Sequence, residues 1–251
     1  MDYKMPPAEN TVVAGKAGNK QRYLILGMIM GAVSMLILGC IATAPRAQVA
    51  TQAPVVGTVY PITPRARFKA EGVAAGDPQA KVRIDVYEDF QCPACREYTQ
   101  SLEPQIMRNE VTSGRVYYVF HSFLVIDQAT WDSPKKESHQ AANAAMCAAD
   151  QNRFWDYHDI LFNNWTGENV GDDTDPRLIA YAQSLNLDMQ KFNACFKANS
   201  FKAKIDADIA FATKLGVDGT PSLFVNGVQV TPGYMPTYNL ILQAIKDAGA
   251  K

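Results

Sequence analysis

The sequence predicts an α/β domain in which a mixed sheet is interrupted by an inserted helical subdomain, preceded by one transmembrane helix. Three observations predict it. An uncharged apolar run spans Tyr23–Ala44. A strand-like alternation runs directly into Cys92-Pro93-Ala94-Cys95 and a helical pattern. A long helical stretch then separates a second strand from Thr220-Pro221 and an Asn-Gly turn. Composition agrees: 47% hydrophobic and 20% charged residues suit a folded core, and a net charge of -1 without a basic run offers nucleic acid no handle.

As a helix, Tyr23–Ala44 would reach roughly 33 Å, enough to cross a hydrocarbon layer of about 30 Å. A cleavable signal has an apolar region of only about 7–15 residues. Lys16, Lys20 and Arg22 precede the run, and Arg46 follows it alone. That asymmetry predicts a cytoplasmic tail over 1–22, an uncleaved anchor over 23–44, and the remainder outside the cytoplasm. Two other readings stay open. Ala42-Thr43-Ala44 resembles a cleavage site, which Pro45 disfavours, and Ile37-Leu38-Gly39-Cys40 resembles a lipobox. Residues 45–74 hold prolines and glycines without sustained periodicity and read as a linker. The folded domain is expected over 75–251.

Lys81–Glu88 alternates as a strand, with Val82, Ile84 and Val86 on one face. Pro93 suits the first helical position, where its missing N–H costs nothing. Tyr98, Leu102 and Ile106 continue that helix at four-residue spacing, Pro104 should kink it, and Gly114 can end it. Val116–Phe120 reads as a second strand. The helical insert (about 122–216) follows, with helices expected over Glu137–Ala149, Arg153–Phe162, Pro176–Leu185, Met189–Ala198 and Phe201–Leu215. Thr220–Val225 and Val228–Val230 flank Asn226-Gly227, a strong hairpin signal. Tyr234–Ala248 reads as the last helix. A helical crossover between the first two strands makes them parallel, and the hairpin adds antiparallel strands.

The chemistry resides in Cys92 and Cys95. The first sits where unpaired N–H groups and the positive end of a helix dipole converge, and both favour thiolate over thiol. Thiolate is the attacking species in disulfide exchange. Cys92 is therefore the expected nucleophile and Cys95, one turn on, the resolving thiol. Half a zinc site is a weaker reading, because no second CxxC or nearby His pair completes it. A purely structural disulfide is another, disfavoured by the strain of bridging a single helical turn.

The stretches GDPQAKVRIDVYEDFQCPACREY, AAMCAADQNRFWDYHDILF and KLGVDGTPSLFVNG resemble the DsbA-like family of bacterial thiol:disulfide oxidoreductases, especially its membrane-anchored members. The resemblance spans about 76–233 and implies a thioredoxin-like fold carrying a helical insert, active on protein thiols outside the cytoplasm. It matches Pro221 to the family's cis-proline, which would turn the Thr220 backbone toward the sulfurs and toward an extended substrate peptide. Ala94 stands where strongly oxidising members often carry histidine, and its side chain offers the thiolate neither charge nor hydrogen bond. In an oxidising compartment Cys147 and Cys195, both in predicted helices, are expected to pair, with two independently buried thiols as the alternative.

Other candidates are weaker. Glu88 and Asp89 could relay protons from Cys95, although a solvated strand end is the simpler reading. His121, His139 and His158 are scattered, and His158, Phe154 and Trp155 read as core. The expected reaction is dithiol–disulfide exchange with exported proteins, without metal or organic cofactor. Oxidation is the expected direction, with a quinone-linked membrane partner restoring the disulfide. The rivals are a reductase or isomerase on the same fold, or an assembly module that uses CxxC as metal ligands.

Overall fold

The computed structural model describes residues 57–127, 131–134 and 136–249. The expected span Tyr23–Ala44 and Cys40 lie outside them, and among the described residues no helix is long and apolar enough to cross a membrane.

The sheet has the order β1-β3-β2-β4-β5, from β1 (Ala74–Ala75), β2 (Val82–Glu88), β3 (Val116–Ser122), β4 (Ser222–Val225) and β5 (Val228–Gln229). β2 and β3 are parallel, with Ile84 opposite Tyr118 and Val86 opposite Phe120. The other pairs are antiparallel. The crossover between the parallel strands carries α1 (Pro93–Ser101), α2 (Glu103–Ile106) and a π-helical turn (Met107–Val111). The expected kink is a real break: Pro104 has no N–H to give, and the helix restarts after Leu102.

α3 (Glu137–Ala149), α4 (Phe154–Asn164), α5 (Asp175–Ser184), α6 (Met189–Lys197) and α7 (Lys202–Lys214) form the insert between β3 and β4. α8 (Tyr238–Gly249) lays Ile241 and Ile245 against the sheet. Asn226 and Gly227 both take positive φ, the backbone twist a two-residue hairpin needs. Cys147 of α3 and Cys195 of α6 are bonded, S–S 1.99 Å, with Cα atoms 5.8 Å apart. Asn143 ties the same two elements, donating to the Phe196 carbonyl at 3.0 Å.

The expected linker over 45–74 needs correction. Its second half belongs to the domain. Tyr60 and Asn164 exchange hydrogen bonds at 2.7 and 2.9 Å. Arg65 reaches Asp159 at 2.6 Å, and Arg67 reaches both Glu103 and Asp159 at 2.7 and 2.8 Å. Ala74 and Ala75 pair with β3. This strap is held by polar contacts to residues far along the chain and by Val59, Ile62 and Val73 against the core, whose irregular spacing leaves no apolar periodicity to read.

Candidate active site

β2 aims the backbone at the site. After Glu88 the chain turns so that the Cys92 N–H donates to the Asp89 carbonyl at 3.0 Å, and α1 begins at Pro93. Cys92 is the N-cap, with extended backbone at φ -74 and ψ 123. Its sulfur lies 3.3 Å from the Thr220 carbonyl oxygen. The Thr220–Pro221 bond is cis, as the resemblance implies. The Thr220 hydroxyl is buried without a hydrogen-bond partner of its own. The sequence-predicted set Cys92, Pro93, Ala94, Cys95, Thr220 and Pro221 therefore converges, while Cys147 and Cys195 are joined in the insert.

The two thiols are pushed apart. The Cys95 thiol donates to Cys92 and, with Thr220 and the backbone N–H groups of Cys95 and Ala94, outweighs burial; the Cys92 pKa falls to about 6. Ala94 thus contributes through its backbone, where its side chain offers nothing. Cys95 is fully buried, and that burial, with its donated hydrogen bond and the nearby Glu88, pushes its pKa well above the ordinary value. One member of the pair is a thiolate near neutrality and the other holds its proton.

Glu88 and Asp89 correct the simpler sequence reading: neither is solvated, at 1% and 0% exposure. Alternation puts Glu88 on the same face as Val82, Ile84 and Val86, under α1. Burial, Glu103 and Cys92 raise its carboxyl well above the usual range, against a weak hydrogen bond from Thr99 at 3.5 Å and the distant Arg67. Asp89 has a different task. Its carboxylate accepts from the N–H groups of Gln91, Val125 and Ile126 at 3.0, 2.8 and 2.9 Å, fastening the segment after β3 beside Cys92. Gln91, which sequence reasoning missed, bonds Ser138 and the Asn169 N–H, while its carbonyl accepts from Trp165. Together the two residues collar the thiol pair with three segments of the insert.

The histidines stand apart. His121 pairs with Asp85 at 2.7 Å and His139 with Asp127 at 2.9 Å. His158 is enclosed by Phe90, Phe120, Phe154, Trp155 and Phe162, a core residue as expected. Ligand atoms of Glu103, His158 and Asp159 lie within 4.8 Å of one another, a group that contains neither active cysteine. The Arg67 guanidinium already bridges Glu103 and Asp159, so the cation at that cluster is a side chain.

A protein-family model described as thioredoxin matches residues 69–247. The sequence is similar to a probable disulfide bond formation protein D of Bacillus cereus, 27% identical over 161 residues that cover 63% of this chain and 72% of the relative. It is also similar to Na(+)/H(+) antiporter NhaA 3 of Salinispora tropica, 31% identical over 152 residues, which are 61% of this chain but only 21% of the antiporter. Among solved structures, oxidised BdbD from Bacillus subtilis aligns with a TM-score of 0.63 at 20% identity, covering 72% of this chain and 94% of that one. That likeness speaks for the fold.

Proposed function

The chain belongs to the thioredoxin family, and from that membership and the site geometry we infer dithiol–disulfide exchange at Cys92 and Cys95. The protein is a DsbA-like thiol:disulfide oxidoreductase. The observation that carries the reading is the split within the pair, Cys92 drawn to about 6 and Cys95 driven up.

The steps follow from that split. In the oxidised enzyme a substrate thiolate attacks Cys92 Sγ; a new S–S bond forms and the Cys92–Cys95 bond breaks. Cys95 leaves as a thiolate and takes a proton. The second substrate thiolate then attacks the substrate sulfur of the mixed disulfide, and Cys92 leaves. Two electrons pass from the substrate dithiol to the enzyme pair. Cys92 is a good leaving group because its thiolate is stable, and that stability favours the reduced enzyme. Net oxidation of exported proteins is therefore the direction proposed, with a quinone-linked membrane partner reoxidising the pair. Equilibration with glutathione tests it. A potential near about -120 mV supports oxidation, whereas one near about -270 mV makes the protein a reductase.

Glu88 is proposed to exchange the Cys95 proton, being the buried carboxyl electrostatically coupled to that thiol. Glu88→Gln should slow reoxidation on the order of a hundredfold, the usual range for losing a general base. It should also stabilise the fold. A carboxyl whose folded pKa is raised holds its proton longer in the native state, so wild-type stability falls as pH rises from the unfolded carboxyl value towards the raised one. Denaturation midpoints measured across that window should fall for wild type and stay flatter for Glu88→Gln. Parallel curves would remove Glu88 from the mechanism.

The membrane topology is proposed from the charges flanking Tyr23–Ala44. Protease added to intact spheroplasts should remove the catalytic domain. Digestion only after lysis would reverse the assigned orientation.

A further inference from the structure

Beneath α1 an ion-pair node links the strap to the region of Glu88. Arg67 is the centre of the node, with its side chain 3% exposed. Its guanidinium donates to Glu103 at 2.7 and 3.2 Å and to Asp159 at 2.8 and 3.1 Å, and it stacks 4.4 Å over the Trp155 ring. Arg65 takes the outer side of Asp159, where the carboxylate receives the Arg65 fork at 2.6 and 2.9 Å. The second Glu103 oxygen is buried without a partner, and Glu103 is among the charges acting on Glu88. A cleft of about 340 Å³ beside this node is lined in part by Arg65, Thr99 and Asp159.

We propose that Arg67 is a positioning residue for the exchange reaction: by locking Glu103 and Asp159 into one node, it fixes the charge facing Glu88 and so governs proton exchange between Glu88 and Cys95. The inference rests on the Glu88 relay described above. Glu88 accepts from Thr99 of α1 and is electrostatically coupled to Cys92 and Cys95 at the site, Tyr98 of α1, Tyr118 of β3, Glu103 of α2 and, more weakly, Arg67 of the strap. The two tyrosines bond each other at 2.9 Å, and burial keeps both neutral. Arg67 is thus the one cation in that set. It is nearly immobile, since two carboxylates and an indole hold it. Without it Glu103 faces Glu88 uncompensated, Glu88 keeps its proton to higher pH, and Cys95 loses its base. Thr99, hydrogen-bonded to Glu88 and lining the cleft, connects that carboxyl to the cleft wall.

The test uses the reduced full-length chain and an aromatic disulfide probe in stopped flow. Attack by Cys92 releases the first thiolate of the probe, and resolution by Cys95 releases the second. Cys95→Ser identifies the second phase by abolishing it. In Arg67→Gln the pH midpoint of that phase should rise by about one unit, slowing it about tenfold below both midpoints. Arg67→Gln combined with Glu103→Gln should return the midpoint towards wild type, because the uncompensated charge is gone. A purely structural role would not be rescued in that way. A folded Arg67→Gln with the wild-type midpoint overturns the proposal, as does a double variant that stays shifted. If Arg67→Gln does not fold, Glu103→Gln alone decides: the midpoint should fall, and an unchanged midpoint overturns the proposal. Glu88→Gln separates the two layers. A second phase indifferent to Glu88→Gln removes the relay itself, whereas one that responds to Glu88→Gln but not to the node removes only the role of Arg67.

Discussion

Cys92→Ser should abolish exchange with any dithiol substrate, whereas Cys95→Ser should leave the first attack intact and stop the cycle at a mixed disulfide. The asymmetry follows from burial and electrostatics. Cys92, at a helix N-cap beside Thr220, is the sulfur with a lowered pKa. Cys95 is fully buried one turn further on. A thiol at about 6 is more than nine-tenths thiolate at neutral pH, against a few per cent for an ordinary cysteine. Alkylation of Cys92 should therefore be half-maximal near pH 6 and flat by pH 8. The linkage sign is that of a depressed pKa. The thiolate stabilises the reduced fold fully above the unfolded cysteine pKa, and that contribution is lost as pH falls through about 6. In Cys95→Ser, covalent adducts through Cys92 should accumulate on incubation with unfolded, reduced protein and disappear with excess dithiothreitol. Faster alkylation of Cys95 than of Cys92 at neutral pH would invert the assigned roles.

Much of this was legible. Cys92 and Pro93 mark a strand-to-helix junction by residue type alone, and α3 begins and ends at the residues where its alanine-rich pattern does. Asn226-Gly227 specifies its own turn. Three features were hard to read, each for a physical reason. Ala74–Ala75 is too short for any periodicity and exists because β3 offers it an edge. Glu88 lay on the face of Val82, Ile84 and Val86, so alternation already pointed it inward; its charge argued for solvent, and the functional site is where that argument fails. Arg67 has partners 36 and 92 residues away, and only the folded chain brings them together.

The position of the node also joins two parts of the chain. The strap holding Arg65 and Arg67 is the segment through which the proposed membrane tether enters the domain. Its guanidinium groups end on α2 and α4, the same layer that carries Phe154 and Trp155 against β3. A substitution at Arg67 in the strap should therefore affect both stability and the pH profile of exchange.

Removing the Cys147–Cys195 bond should be strongly destabilising although it lies outside the active site. The bond closes a loop with a sequence separation of 48, worth about 4 kcal/mol on the chain-entropy model. The insert has little to replace it. Half of the buried residues of α3 are alanine (Ala141, Ala142, Ala144, Ala145 and Ala148), and each alanine removes far less apolar surface from water than a leucine would. The contact between α3 and α6 then rests on Asn143 and the packing of Phe192 and Phe196. Cys147→Ala with Cys195→Ala avoids leaving a buried hydroxyl unpaired and should lower the melting temperature by roughly 8–16 °C. The active-site pair should keep its two-phase reaction with the aromatic disulfide, because the collar around Cys92 is fastened by Asp89 and Gln91, with no contribution from the insert disulfide. A double variant that melts within about two degrees of the parent would show that the insert is held by packing alone, and the entropic account of this bond would fail.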